Sequence, residues 1–457
     1  VTIRRLPLLG MALVFLVAAC GSDAADPAPT SASRSGVGVA PSSATTAGLT
    51  PVTLTVGEGL DDAPLNTPRR ALVPPGWTLS VFARVPSARH AAWAPDGTLL
   101  VSVPENGTVV RLQPDGRGTA TVSTLLNGLT RPHGLAFADT TLYVAQSDRV
   151  DAYTYADGQA TNPRPLVTDL PSARSPDLRG RYGHELKSLA VGQDGSVYIT
   201  VGSTGNISAD DLTANPPRAS ILRVPPGGGA PEPFAVGVRN GTALGVAPDG
   251  AIWSAVNNRD NIQFPYDRPY GDGSGSAQGR VIDDYVRDHP VEPFVKLTPG
   301  RNLGWPYCNP EADVDPGVRG SAQDFSDVPF IRDVEMNPDG RMLDCATLPP
   351  VEQSLPGHSA PLGLSFVDGD LPGEYASGAL VGVHGSWNAS PPRAPEVSFF
   401  PWRDGNLGAQ QTLVGGFQSA DGSRWGRPVT AVTGPDGAVY ITDDTAGAVY
   451  RLAPPTR

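Results

Sequence analysis

Apolar and polar positions alternate in short bursts along most of the chain, and one phrase keeps returning: an apolar stretch, Asp-Gly or a relative, then an alternating strand. It reads AAWAPDGTLLVSV around Asp96, LAFADTTLYVAQ around Asp139 and LAVGQDGSVYITVG around Asp194. It returns as LGVAPDGAIWSAV around Asp249, LSFVDGDLPGEYASGALVGV around Asp368 and VTGPDGAVYITDD around Asp436. Each copy predicts strand, tight turn, strand: Asp-Gly tolerates the positive φ of a short hairpin, and period-two alternation buries one face. Six copies, each trailed by further strand-like sequence, predict an all-β chain folded as a six-bladed β-propeller. Steps of 43, 55 and 55 residues separate the first four turns, then 119 and 68 separate the rest. The long step, residues 262–357, predicts a large insertion between blades four and five, of the kind that shapes a binding face. The strand from Trp77 to Val85 is placed to join the last blade and close the ring. A β-sandwich would not need six copies of one phrase, and seven or eight blades would require hairpins hidden in the insertion.

Glycine and proline, 53 and 48 of 457 residues, fit many strands joined by tight turns rather than a helical protein. The net charge of −12 comes with no basic stripe to neutralise phosphates, which argues against a nucleic-acid partner.

The start of the chain reads differently. Arg4 and Arg5 precede an apolar run from Leu6 to Phe15, too short for a confident membrane span, which closes on Leu16-Val17-Ala18-Ala19-Cys20. Small residues before a cysteine are what a lipoprotein signal peptidase requires, so residues 1–19 are expected to be a signal peptide and Cys20 a lipidation site. Ser, Ala, Thr, Pro and Gly dominate residues 21 to about 50, a composition that cannot bury enough apolar surface to order itself. A flexible linker is therefore expected over 20–70 and the folded unit over 71–457. The expected location is extracytoplasmic, anchored by lipid to the bacterial cell membrane. With Cys20 so assigned, Cys308 and Cys345 remain, expected to form one disulfide in an oxidising compartment; two separate buried thiols are the alternative, and two thiols alone allow no zinc pattern.

Six to ten residues ahead of each turn sits a strongly polar residue at the start of the blade's first strand. These are Arg89-His90, Arg131 with His133, His184, Arg239-Asn240, His358 and Arg427, in blade order. Innermost strands of a propeller line its channel, so equivalent positions converge on one mouth, where His384 in VGVHGSWN would join them. Convergent His and Arg suit an anionic or carbonyl-rich ligand and a general base, with His133 and His358 at the mouth facing substrate.

RPHGLAF, GHELKSLAVGQDGSVYITVGSTGN, GVRNGTALGVAPDG, GRNLGWPYCN, HSAPLGLSF, VHGSWN and WGRPVTAVTGPDGAVYITDD stand in the order found in the glucose/sorbosone dehydrogenase family, which this chain resembles over about residues 75 to 454. HGSWN followed by WGRPV resembles the sorbosone-dehydrogenase branch most. The resemblance implies oxidation of a sugar or related hydroxy or aldehyde compound with pyrroloquinoline quinone (PQQ) and calcium, the electrons leaving to an external acceptor. His184 matches the catalytic base, which takes the hydroxyl proton while hydride passes to the quinone. Arg239 and Asn240 match the pair that holds the quinone, Arg427 a further cofactor-binding arginine, and His384 lies within one residue of a lysine used by the glucose-dehydrogenase branch. A planar guanidinium suits the carboxylates of PQQ. The family's calcium is held partly by main-chain carbonyls, which here fall at Asn258 and Arg259, and oxygen donors suit that ion. The glucose-dehydrogenase branch also carries one aspartate directly before its catalytic histidine and another after the next strand; Gly183 and Ser203 stand there, so Glu185 or a residue of the insertion would have to orient the base.

Two other functions fit a six-bladed propeller. A calcium-dependent lactonase needs a Glu/Asn/Asp metal cluster in the channel, where this chain offers His and Arg. A non-catalytic lipoprotein that binds carbohydrate or protein is the other.

Overall fold

In a computed structural model, residues 48–455 are described. Cys20, the leader and the first part of the linker lie outside them. No helix of the described residues is long and apolar enough to cross a membrane.

Six four-stranded antiparallel blades follow one another around a ring. Blade one is Ala91–Trp93, Leu99–Val103, Thr108–Pro114 and Ala120–Leu126; blade two is Leu135–Ala138, Thr141–Ala145, Val150–Ala156 and Gln159–Val167. Blade three holds Leu189–Val191, Val197–Val201, Ser220–Val224 and Glu232–Val236, with Arg301–Asn302 added in parallel at its edge. Blade four contains Asn240–Val246, Ile252–Asn257, Glu292–Leu297 and Val351–Leu355, with Ser326–Val328 outermost. Blade five is built from Pro361–Asp368, Ser377–Val383, Glu396–Arg403 and Gln411–Val414. Blade six combines Pro428–Thr433, Val439–Asp443 and Ala448–Ala453 with Thr78–Arg84, so the strand expected around residues 77–85 does close the ring.

The recurring phrase works as its chemistry requires. In blade one, Asp96 Oδ1 accepts the Thr98 N–H at 3.1 Å, and Gly97 takes φ +76° where a side chain would be strained. The apolar positions of each hairpin do not meet in one central core. They form six separate clusters, one between each pair of neighbouring blades. Phe82, Leu99 and Tyr440 join blades six and one, and Leu100, Leu135 and Leu142 join one and two. Val150, Leu189 and Val197 follow, then Tyr198, Leu244 and Ile252, then Trp253, Leu364 and Ala379, and Leu79, Leu380 and Ile441 complete the ring. Each blade is thus held by apolar burial on both faces, leaving the inner strand ends to carry polar groups.

Two expectations are corrected. The insertion does not lie between blades four and five. It lies within blade four, because Glu292–Leu297 and Val351–Leu355 are that blade's third and fourth strands, and the added chain loops out on either side of Glu292–Leu297. The linker boundary at 70 is also too late: Thr50–Thr53 pairs with Arg70–Val73, and Leu54 and Leu65 are buried in the cluster between blades five and six. The expected disulfide is present, Cys308 to Cys345, with Cα atoms 5.8 Å apart.

Candidate functional site

In an antiparallel hairpin the residues before the first strand and those after the second emerge at the same edge. The mouth is therefore furnished twice per blade, and the structure gathers both sets.

His184, just before the inner strand of blade three, faces the loop after that blade's second strand. Its Nδ1 lies 2.8 Å from Ser203 Oγ and 3.1 Å from the Ser203 carbonyl oxygen. The Ser203 hydroxyl donates its own proton to the Gly205 carbonyl at 2.7 Å, so both Ser203 oxygens act as acceptors toward the ring. That places the imidazole proton on Nδ1 and leaves the Nε2 lone pair available, with no hydrogen-bond partner for Nε2 among the described residues. Burial, and then the Arg239 guanidinium, lower the His184 pKa to about 3, so the ring is neutral across the physiological range. Glu185 does not orient this base: it accepts the Ala173 N–H at 2.9 Å and faces Arg131 at 3.6 Å.

Arg239, only 3% exposed, runs beside it. Its Nη2 donates to Asn206 Oδ1 at 3.1 Å and to Asp260 Oδ2 at 3.2 Å, and its Nε donates to the Asn206 carbonyl at 3.2 Å. Asn206 and Asp260 also bond reciprocally, Asp260 N to Asn206 Oδ1 at 2.7 Å and Asn206 Nδ2 to the Asp260 carbonyl at 2.9 Å. Asp260 Oδ1 accepts Asn388 Nδ2 at 2.9 Å and lies 3.4 Å from His358 Nδ1. Burial would raise the Asp260 carboxyl, but His358 and Arg239 hold it below the usual range. Burial lowers and Asp260 raises His358, and Asp260 prevails. His358 Nε2 meets the Val286 carbonyl at 2.5 Å, so this ring is fully engaged rather than open to substrate.

A second group lies on blades five, six and one. His384 Nε2 is 2.9 Å from Asp444 Oδ1, and Arg89 Nη1 donates to Asp444 Oδ2 at 2.5 Å. Arg427 Nε donates to the His384 carbonyl at 2.8 Å and its Nη2 to the Gly385 carbonyl at 3.1 Å. Burial takes His384 down to about 4, and Asp444 is held well below the carboxylate range, against its burial, by His384 and Arg89. With His384 neutral, Arg89 is the charge that keeps Asp444 ionised. The segment His384 to Asn388 spans the two groups, and Trp387 within it is 61% exposed. His133 is wholly buried beside His90, ring centroids 5.5 Å apart, with its Nδ1 3.2 Å from Ser188 Oγ.

Asn258 and Arg259 follow the second strand of blade four. Asn258 N donates to Glu292 Oε2 at 2.5 Å, and the Arg259 guanidinium is buried against Asp333 and Glu335 of the insertion. Their main-chain carbonyls accept no hydrogen bond among the described residues, which leaves those oxygens for another electropositive partner. Several buried polar atoms at the inner strands also lack a hydrogen-bond partner there: Arg89 Nε, both nitrogens of His90, His133 Nε2, Asn240 Oδ1 and Thr242 Oγ1.

Sequence reasoning found His184, Arg239, His384 and Arg427 but missed Asn206, Asp260, Asn388 and Asp444. All four follow the second strand of a blade, and the antiparallel geometry of the hairpin would have pointed to them.

The architecture and the site define a class: a six-bladed propeller whose channel mouth pairs neutral histidines with arginine–carboxylate couples. The TrAA12-like family model matches residues 71–454, and the chain belongs to that family. It is 24% identical over 347 residues to an uncharacterised protein of Borreliella burgdorferi, covering 72% of this chain and 78% of that one. It is 26% identical over 343 residues to a PQQ-dependent pyranose dehydrogenase of Coprinopsis cinerea, covering 65% of this chain and 42% of that protein, so it spans less than half of the latter's length. The holo PQQ domain of the Coprinopsis cinerea enzyme superposes with a TM-score of 0.69 at 20% identity, over 87% of this chain and all 100% of that domain. A calcium structure of a Trichoderma reesei AA12 enzyme gives 0.65 at 19% identity, over 84% and 96%.

Proposed function

We propose that this protein oxidises a sugar, or a related hydroxy or aldehyde compound, with PQQ as electron acceptor and calcium as its companion ion. The observation that carries the reading is the contact of His184 Nδ1 with the two accepting oxygens of Ser203, which leaves Nε2 as a proton acceptor on a ring that feels the Arg239 charge. PQQ, when bound, supplies the two-electron acceptor for the hydride leaving the hydroxyl-bearing carbon. His184 Nε2 takes the proton of that hydroxyl, which a neutral ring can do and a protonated one cannot. Arg239 and Arg427 hold cofactor carboxylates, Asp260 orients the Arg239 guanidinium, and the His384 and Gly385 carbonyls orient that of Arg427. The Asn258 and Arg259 carbonyls are the oxygen donors for calcium. Trp387 offers a flat apolar face on which a pyranose ring can stack. The sorbosone-like motifs add aldehydes to the substrate range, and an external acceptor reoxidises the cofactor. The work is done outside the cytoplasm, with Cys20 as the lipid anchor.

The test is reconstitution of apo-protein with calcium and PQQ. A bound-quinone absorption that aldoses bleach is the expected result, and absence of PQQ binding at saturating calcium would leave a binding propeller as the better reading. His184→Ala should keep PQQ and lose about 10²–10⁴ in turnover. Arg239→Ala should weaken quinone affinity first, which separates chemistry from cofactor retention.

A further inference from the structure

The insertion of blade four carries a cluster remote in role from the mouth. The short helix Asp283–Asp288 ends at His289, whose ring stacks on Tyr285 with centroids 4.1 Å apart. The segment after the short strand Cys308–Pro310 brings Glu311 and Asp313 to the same ring. Side-chain exposure is 6% for His289, 6% for Glu311 and 4% for Asp313. His289 Nδ1 lies 2.9 Å from the Tyr285 carbonyl oxygen and can only donate to it, so the neutral ring turns its Nε2 lone pair toward the carboxylates. That nitrogen is 3.2 Å from Asp313 Oδ1 and 3.5 Å from Glu311 Oε1, yet has no well-aligned hydrogen bond.

Three acceptors turned toward one point in a buried site call for a cation or a proton between them. The spacing indicates which kind. Ligands at about 2.0–2.2 Å around a tetrahedral ion stand roughly 3.4 Å apart, and the two distances from Nε2 bracket that value. Calcium would demand six to eight oxygens at longer range and gains little from imidazole. The outer contacts suit ligation as well: the Tyr266 hydroxyl donates to Glu311 Oε2 at 2.6 Å and Asp313 N donates to Glu311 Oε1 at 3.0 Å, fixing the carboxylate as the Tyr285 carbonyl fixes the ring.

We propose that His289, Glu311 and Asp313 form a site for a divalent transition metal of the zinc class, with a fourth position for water. The ion pins the end of the helix to the chain leaving Cys308, next to the disulfide. Its consequence reaches the mouth, because the helix offers the Val286 carbonyl to His358, which faces Asp260 and through it Arg239. The competing occupant is a second proton on His289, which the paired carboxylates would stabilise against burial. The proposal does not depend on the quinone reading, and its test uses metal alone.

Full-length protein would be stripped with chelator, saturated with calcium and titrated with zinc, reading metal content by mass spectrometry and unfolding by calorimetry. One zinc per chain should survive dialysis and raise Tm, with manganese weaker and further calcium without effect. His289→Gln and Asp313→Asn should each weaken zinc binding by about 10²-fold or more, given that loss of outer-shell partners alone costs 10–100-fold. Should either variant misfold, anomalous scattering at the zinc edge from wild-type crystals locates the ion directly. No retained zinc and no Tm shift in the wild type, undiminished zinc in folded variants, or zinc located elsewhere would each overturn the proposal.

Discussion

Gly202→Ala tests the placement of the proposed base without touching any group that reacts. Gly202 follows the second strand of blade three, directly behind His184. A Cβ there would fall 2.5 Å from His184 Cβ, 2.6 Å from the His184 carbonyl oxygen and 3.4 Å from Asn240 Oδ1. Carbon contacts settle near 3.5–4.0 Å, so the His184 backbone must retreat by roughly 1 Å. Overpacking of this kind costs about 1–3 kcal/mol. Spread over the unfolding entropy of a chain this long, that is a fall in Tm of about 1–4 °C. Displacement of a catalytic group by about 1 Å costs roughly 10²-fold in rate. Reconstituted enzyme would be assayed for aldose turnover with an artificial acceptor, alongside PQQ affinity and calorimetry. Gly205→Ala is the control: it lies on the same loop, its Cβ meets nothing within 4 Å, and it should behave as wild type. A Gly202→Ala enzyme with wild-type turnover and Tm would refute the close packing behind His184 and the demand on its position.

Arg239→Gln removes a cation that disfavours the imidazolium form of His184. The His184 pKa should therefore rise from about 3 toward its ordinary value, and the acidic limb of kcat/KM, measured at saturating quinone, should move to higher pH. A limb that stays in place would dissociate the two residues. Replacing Cys308 and Cys345 by Ser opens a loop whose closure the chain-entropy model values at about 4 kcal/mol, visible as a lower denaturation midpoint; an unchanged midpoint would show that the bond adds nothing. Cys20→Ser should release the protein from the membrane fraction and abolish fatty-acid labelling, and membrane association that persists would end the lipoprotein reading.

The blades were legible because each inner hairpin carries its own marker. Asp-Gly between alternating strands is a local signal, and six repetitions leave few other folds. The outer strands of blade four carry no such marker: EPFVKL and VEQSL are separated by more than fifty residues and find each other only through pairing in space. The spacing of the turns therefore points to the gap between blades four and five, whereas the added chain belongs to blade four itself. Thr50–Thr53 is concealed similarly, since the segment up to residue 70 is rich in Pro and Thr, and its few apolar residues, Val52, Leu54, Val56, Leu60 and Leu65, reveal only in the fold that they pack on the cluster between blades five and six. At the site, histidines and arginines stood out because they are scarce and sit just before strands. Asp260 and Asp444 did not, because an aspartate after a strand reads as turn chemistry, and nothing local distinguishes one that caps a turn from one that holds a buried guanidinium.

The closure of blade six by Thr78–Arg84 has a consequence for how the chain becomes a ring. Val81 and Tyr450 face each other across that sheet although about 370 residues separate them in sequence. A chain made from its amino end exposes Thr78–Arg84 early and must hold that edge unpaired until Ala448–Ala453 exists, the situation in which strands are most open to wrong partners. The hairpin Thr50–Val73, packed beside the same strand, shields it in part meanwhile. Once the last strand anneals, the interfaces on both sides of blade six are completed together, and no blade can then leave without breaking two. The molecule behaves less like a row of independent hairpins than like a buckled belt, in which the clasp sets both the time of completion and the resistance to opening.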